Sequence, residues 1–181
     1  ASFDAGSDSD AGAVDLGGFF AGSGDWQAAV EVHNLASGSG HTAGLVFTGI
    51  GGSGDVDVLS AEAPSGLVAP GGSGTVQTGV STDRLGAFDA TWSLANGDEA
   101  LPGAEAGTAL ELSLTARVYE AGDYEFDGDL EAGDIDALRA MIEVGPQSVP
   151  EARYDLTGDG SLTADDEAAL IEDIFATVYG D

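Results

Sequence analysis

The sequence contains no cysteine and no lysine. Without thiols, disulfide frameworks, thiolate nucleophiles and cysteine-based zinc sites are excluded. The basic side chains are Arg84, Arg117, Arg139 and Arg153, scattered along the chain. Such a chain cannot release the counterions of a phosphate backbone, which excludes nucleic-acid binding. Adhesion to anionic membrane surfaces fails for the same reason. No apolar run approaches the roughly 20 residues of a membrane-spanning helix, so no membrane insertion is expected. The histidines are two, His33 and His41. No nucleophile-elbow motif accompanies them, and a lysine-bearing phosphate loop is impossible. The expectation is a protein that is not an enzyme.

What the chain has is acid. Of 181 residues, 33 are Asp or Glu, giving a formal charge of −29. Hydrophobic residues still make up 43%, and mean hydropathy is +0.04, so the charge does not imply disorder, which needs low hydrophobicity as well. Glycine, at 29 residues, favours a turn-rich β protein. Small cations or a saline medium can balance such a surface. The chain starts at Ala1, which fits either a trimmed chain or a mature end left by signal-peptide removal; the second implies export, to the extracellular space or cell surface.

Three regions are expected. Residues 1–14 form an acidic leader, flexible in isolation, held by its own domain or by a neighbouring subunit. In it Asp4, Asp8 and Asp10 are candidate ligands for an additional cation, against the alternative of a solvated tail. Residues 15–120 carry strand-like runs at Trp26–Val32, Ala43–Phe47, Val56–Leu59, Thr75–Val80, Phe88–Leu94 and Ala109–Tyr119, separated by turn clusters at 36–40, 49–55, 69–74 and 96–107. The last run alternates strictly, with Leu110, Leu112, Leu114, Ala116 and Val118 on one side. Short strands at this spacing predict an antiparallel β-sandwich, with Trp26, Phe47, Phe88 and Trp92 in its core. The pieces LVAPGGSGTVQTGV, DRLGAFDATWSLANGDE and LELSLTARV resemble the immunoglobulin-like choice-of-anchor or Hydin-type domains of secreted bacterial proteins. That resemblance implies a structural or binding role.

Residues 121–181 read differently. Two helical patterns, Ile135–Val144 and Glu167–Val178, place Ile135, Leu138, Met141 and Ile142 on one face and Leu170, Ile171, Ile174, Phe175 and Val178 on the other helix's face. Gly145–Pro146 and Gly180 supply stop signals. Each helix follows the same 12-residue pattern, DYEFDGDLEAGD at 123–134 and DLTGDGSLTADD at 155–166, identical at positions 1, 5, 6, 8, 10 and 12. A Ca²⁺ ion needs about six to eight oxygen ligands, which an EF-hand-type loop supplies from positions 1, 3, 5, 7 and 12 with Gly at 6. The first loop offers Asp123, Glu125, Asp127, the carbonyl of Asp129, and Asp134. The second offers Asp155, Thr157, Asp159, the carbonyl of Ser161, and Asp166. Glu131 and Thr163, at position 9, could act through water. Leu130 and Leu162, at position 8, are expected to pair the loops and feed the core. Two Ca²⁺ ions are therefore expected.

Two such loops, each followed by one helix, resemble a type I dockerin, in which the entering helix is missing and the twelfth ligand is Asp. The resemblance implies a small dockerin-like two-EF-loop helical module after the immunoglobulin-like β-sandwich, and docking onto a cohesin, itself a β-sandwich. The tenth and eleventh loop positions, Ala132–Gly133 and Ala164–Asp165, depart from the hydroxyl pair of cellulosomal members, and Thr157 departs from the usual Asn or Asp. The segment looks more like the dockerin-type repeats closing large exported proteins of aquatic bacteria. Two partner readings follow. In one, the chain joins copies of itself head to tail, module to sandwich, into an extracellular polymer or filament. In the other, the module docks onto a cohesin-like scaffold while the sandwich binds polysaccharide or protein.

Overall fold

A computed structural model of the chain describes residues 1–36, 42–144, 154–157, 159 and 161–179. The expected turn at 36–40, His41 and the Gly145–Pro146 and Gly180 stops therefore lie wholly or largely outside the described residues. Among the described residues eight strands precede two helices: β1 (Ala11–Phe20), β2 (Trp26–His33), β3 (Leu45–Gly54), β4 (Leu59–Glu62), β5 (Leu67–Val68), β6 (Ser73–Val80), β7 (Gly86–Asp98), β8 (Leu110–Tyr119), α1 (Ala132–Val144) and α2 (Ala164–Tyr179). They form a five-stranded sheet ordered β1-β8-β7-β3-β5 and a three-stranded sheet ordered β2-β6-β4. This is an immunoglobulin-like β-sandwich, in which β1 to β7 alternate between the sheets and β8 returns beside β7. No helix among the described residues is long and apolar enough to cross a membrane.

The sandwich core follows from period-two patterning. Along β8 burial alternates without a break from Leu110 to Val118, and Leu110, Leu112 and Leu114 are fully buried. Val32, Leu59, Val76, Val80 and Leu94 are buried as deeply, or within a percent of it. Buried Asn34 ties loops to this core: its Nδ2 donates to Ala43 O at 2.9 Å and Val68 O at 3.0 Å. Asn34→Ala would orphan both carbonyls, an expected loss of about 1–3 kcal/mol, read as a lower urea midpoint at unchanged m-value.

Several expectations change. The sandwich is not wholly antiparallel. Glu111 N–H donates to Asp10 O and Ala21 N–H to Tyr119 O, so β1 and β8 ascend together and that edge pair is parallel. The turn expected at 49–55 is strand through Gly54, because pairing with β7 outweighs the low strand propensity of glycine. The strand expected at Val56–Leu59 is mostly turn, and β4 starts at Leu59. Trp26 is 40% exposed rather than core, since burial along β2 deepens only toward its far end, reaching zero at Val32. Phe88 is buried, whereas Phe47 and Trp92 are half-buried.

The chain divides into two compact units: Ala1–Gly17, Asp25–Ser81 and Ala87–Arg117 in one, Gly18–Gly24, Thr82–Gly86 and Val118–Asp181 in the other. In the first, the acidic leader folds back on its own sheet. Ser2 and His33 exchange backbone bonds at 2.9 and 2.7 Å, and the fully buried Ser2 hydroxyl donates to Ser7 O while accepting from the amides of Asp4 and Ser9. In the second unit, Phe20, Tyr124, Leu138, Tyr154 and Leu170 form a buried cluster. The helical unit thus recruits Phe20 from outside the region 121–181 expected to form it. On α2, Leu170 is fully buried and Ile174 packs on this cluster, but Phe175 is 59% exposed, against the expected face.

Candidate metal centre

The two acidic loops fold alike, and the likeness can be followed bond by bond. In the first, the Asp127 amide donates to Asp123 Oδ1, Asp129 to Asp127 Oδ1, Glu125 to Asp134 Oδ1 and Glu131 to Asp134 Oδ2. In the second, Asp159 donates to Asp155 Oδ1, Ser161 to Asp159 Oδ1, Thr157 to Asp166 Oδ1 and Thr163 to Asp166 Oδ2. Each bond recurs 32 residues on. Position 1 holds the amide of position 5, position 5 that of position 7, and position 12 those of positions 3 and 9. This curls the backbone of each loop around its carboxylates.

The exits are helix caps. Asp134 and Asp166, each in the first turn of its helix, reach back to the amide just before that helix, at 2.8 Å in both cases. This is the acid half of a capping box. In the second loop Thr163 completes it, its Oγ1 accepting from the Asp165 amide. The sharp turn at position 6 is made by Gly128 at φ 102°. At position 4, Phe126 takes φ 60°, a left-handed conformation unusual for an aromatic residue. Its ring stacks on Phe20 with centroids 5.5 Å apart and meets Tyr119 edge-on at 4.8 Å. Leu130 and Leu162 both pack on the helical cluster, as expected of position 8.

The electrostatics are unusual. Asp123, Asp134 and Asp166 have no exposed surface, and no described ion pair includes any of them. Burying an unpaired charge is costly. Burial pushes the Asp123 carboxyl above its usual range, with Asp134 adding to the effect. Desolvation, then the charges of Asp127, Asp134 and Glu131, push Glu125 the same way. The carboxylate oxygens of Glu125, Asp127 and Glu131 come within 4.8 Å of one another. Arg139 pairs instead with Asp136 at 3.3 Å and with Glu167 across the two helices.

The raised carboxyls have a pH consequence. At Asp123 and Glu125 the metal-free first loop holds protons more tightly than the unfolded chain, so their ionised form costs stability. That cost is absent below the usual carboxylate range and grows as pH rises through the raised values. In excess EGTA, melting of the helical circular-dichroism signal is expected to move up on acidification from neutral toward the carboxylate range.

The donors fit a hard divalent cation. All are oxygens, from carboxylates, a threonine hydroxyl and the carbonyls of Asp129 and Ser161, and neither nitrogen nor sulfur is in the set. Thr157 Oγ1 lies within 3.2 Å of Asp155 Oδ1 and 3.1 Å of Asp166 Oδ1, so the departure at position 3 still places an oxygen among the others. The leader acids do not form such a set. Asp4 is consumed by the amides of Gly6 and Ser7, which hold its carboxyl below the usual range. Asp8 lines a separate cleft of about 480 Å³ with His33 and Asn34. Asp10 joins no cluster of acids among the described residues.

Sequence reasoning missed the aromatic platform beneath the loops. Tyr124, at position 2, meets Phe20 edge-on at 5.6 Å and Tyr154 at 5.0 Å. Its hydroxyl is buried without a hydrogen-bond partner among the described residues, and burial followed by the charge of Asp166 pushes its pKa upward. The signal was present in tyrosines beside position 1 of each loop.

No protein-family description matches the sequence, and no curated protein matches it. Among solved structures, the chain is similar to the ASH/PapD-like domain 7 of human CEP192, at 16% identity and TM-score 0.44, over 60% of this chain and 82% of that one. It is similar to the VesB protease of Vibrio cholerae at 13% identity and TM-score 0.41, over 59% of this chain; the match spans only 30% of the protease. It is similar to SSP-19, an MSP-domain protein of Caenorhabditis elegans, at 14% identity and TM-score 0.36, over 55% of this chain and 92% of that one. Nothing about activity follows from similarity at this level.

Proposed function

We propose that this chain is a non-catalytic, extracellular calcium-binding assembly protein, whose dockerin-like loops at 123–134 and 155–166 each hold one Ca²⁺. The observation that carries the reading is the set of fully buried carboxylates Asp123, Asp134 and Asp166, which join no ion pair among the described residues; Asp134 and Asp166 are held at equivalent places by the same amide bonds. A divalent ion would supply the missing positive charge and use oxygens already curled toward one another. Mg²⁺ suits the loops less, since it keeps its waters and rarely occupies all-protein cages.

The calcium-loaded helical module would then dock on a β-sandwich, and this chain itself carries one. Copies joined module to sandwich would form open, head-to-tail assemblies. The leader adds no support to that contact, because it is bonded to its own sheet at His33. Isothermal titration with Ca²⁺ and sedimentation with and without Ca²⁺ test the two halves. Two sites per chain and growth of large species only with Ca²⁺ are expected. An isotherm without binding overturns the metal assignment; two-site binding by a chain that stays monomeric overturns the assembly.

A further inference from the structure

One edge of the five-stranded sheet is left open. β5 pairs only with Leu45 and Val46 of β3. From Phe47 to Gly54, β3 has β7 on one side and no strand on the other among the described residues. Residues 48–54 are all exposed. An open edge of this kind presents unpaired amides and carbonyls to another strand. Two common protections are missing, since the segment FTGIGGSG holds no proline and no charged residue; the register irregularity of β3, between Phe47 and Gly49, lies at one end of it and leaves Ile50–Gly54 in regular pairing with β7. Ile50 and Val56 are left 38% and 39% exposed beside it.

Charge selects the occupant. Residues 32–54 form the longest stretch of the chain without Asp, Glu, Lys or Arg. A basic partner would gain nothing there and would be drawn to the acidic faces instead. Two chains of −29 repel wherever acids face acids, and an uncharged edge lets them approach. That edge is also self-complementary, because an antiparallel pairing about a two-fold axis sets the same residues against each other. We infer that the 47–54 edge of β3 pairs with the same edge of a second copy, joining two five-stranded sheets into one. The contact is distinct from the module-to-sandwich contact proposed above, needs no calcium and closes on itself. An eight-residue edge gives a small interface, so the dimer is weak and concentration-dependent, and it strengthens with salt as repulsion is screened.

The middle of the exposed run 48–54 is Gly51, so a two-fold there sets Gly51 against Gly51 of the second copy. A Cβ on Gly51 meets nothing within 4 Å, whereas at Gly52 it would strike the Trp92 ring. Gly51→Asp therefore adds a charge at the two-fold without disturbing the sheet, and Ile50→Lys adds one of opposite sign. Sedimentation equilibrium of the full chain in excess EGTA, at low and high salt, reads the dimer directly. A salt-strengthened dimer is expected, weakened on the order of a hundredfold by Gly51→Asp through like charges set opposite each other. Ile50→Lys should weaken it likewise, and unchanged circular dichroism would show that both variants fold. A chain monomeric in EGTA at every salt concentration overturns the inference, and so does a dimer that neither folded variant weakens. A monomer that instead takes up an unrelated extended peptide along β3 also overturns it.

Discussion

Excess EGTA is expected to lower the melting temperature of the helical unit by roughly 10 °C or more for each Ca²⁺ lost, while the β-sandwich signal persists. The size follows from linkage. A ligand that binds only the folded form adds about 2.7 kcal/mol at a hundredfold excess over its Kd, and 1 kcal/mol moves the midpoint of a small domain by about 4–8 °C. The unit has little else to draw on. Its buried cluster is Phe20, Tyr124, Leu138, Tyr154 and Leu170, a small core for two helices. Against it stand three buried carboxylates that join no ion pair among the described residues. Removing the ions takes away their compensation and leaves the repulsion. Circular dichroism at the helical minimum, followed against temperature in Ca²⁺ and then in EGTA, measures the shift. A melting curve indifferent to EGTA, or restored equally well by Mg²⁺, would sink the calcium assignment.

The parts of the molecule that were legible in the sequence are those where chemistry or period fixes residue type at each step. The likeness of the two acidic loops could be read because the same residue types recur at positions 1, 5, 6 and 12; the structure returns the same amide bonds at both copies. β8 could be read because alternate residues face a core. β1 and the glycine half of β3 could not. A run such as GIGGSG has no side chains to alternate, so its strand is set by β7 and not by its own pattern. Phe20 joins the helical cluster from a hundred residues away in sequence, a contact that no local pattern encodes. Residue type alone placed Trp26 and Phe175 inside, and position left them out: one at the first residue of a strand, the other on the open side of α2. Phe126 at φ 60° runs against local preference, and its two ring contacts hold it there.

Asp134→Ala is expected to unfold the helical unit even without calcium in play, and this separates the two duties of the residue. Asp134 Oδ1 accepts from the amides of Tyr124 at 2.7 Å and Glu125 at 3.3 Å, and Oδ2 from Glu131 at 2.8 Å. Alanine leaves the buried Tyr124 amide and the part-buried amides of Glu125 and Glu131 without this acceptor and uncaps α1. At about 1–3 kcal/mol for each orphaned group, the loss is about 3 kcal/mol or more, large beside the total stability of a small unit. Asp134→Asn divides the effects. The amide oxygen can still serve Tyr124 and Glu125, but its NH₂ group faces the Glu131 amide donor to donor, and the charge is gone. The asparagine variant should therefore keep more of its helical signal in EGTA than the alanine variant, yet lose one of two Ca²⁺ by titration. Asp166→Asn should do the same at the other loop, because its carboxylate accepts from Thr157 and Thr163 in the equivalent way. The double variant then binds none. If either single asparagine variant folds and still titrates with two ions of unchanged affinity, position 12 is a helix cap alone and the metal lies elsewhere.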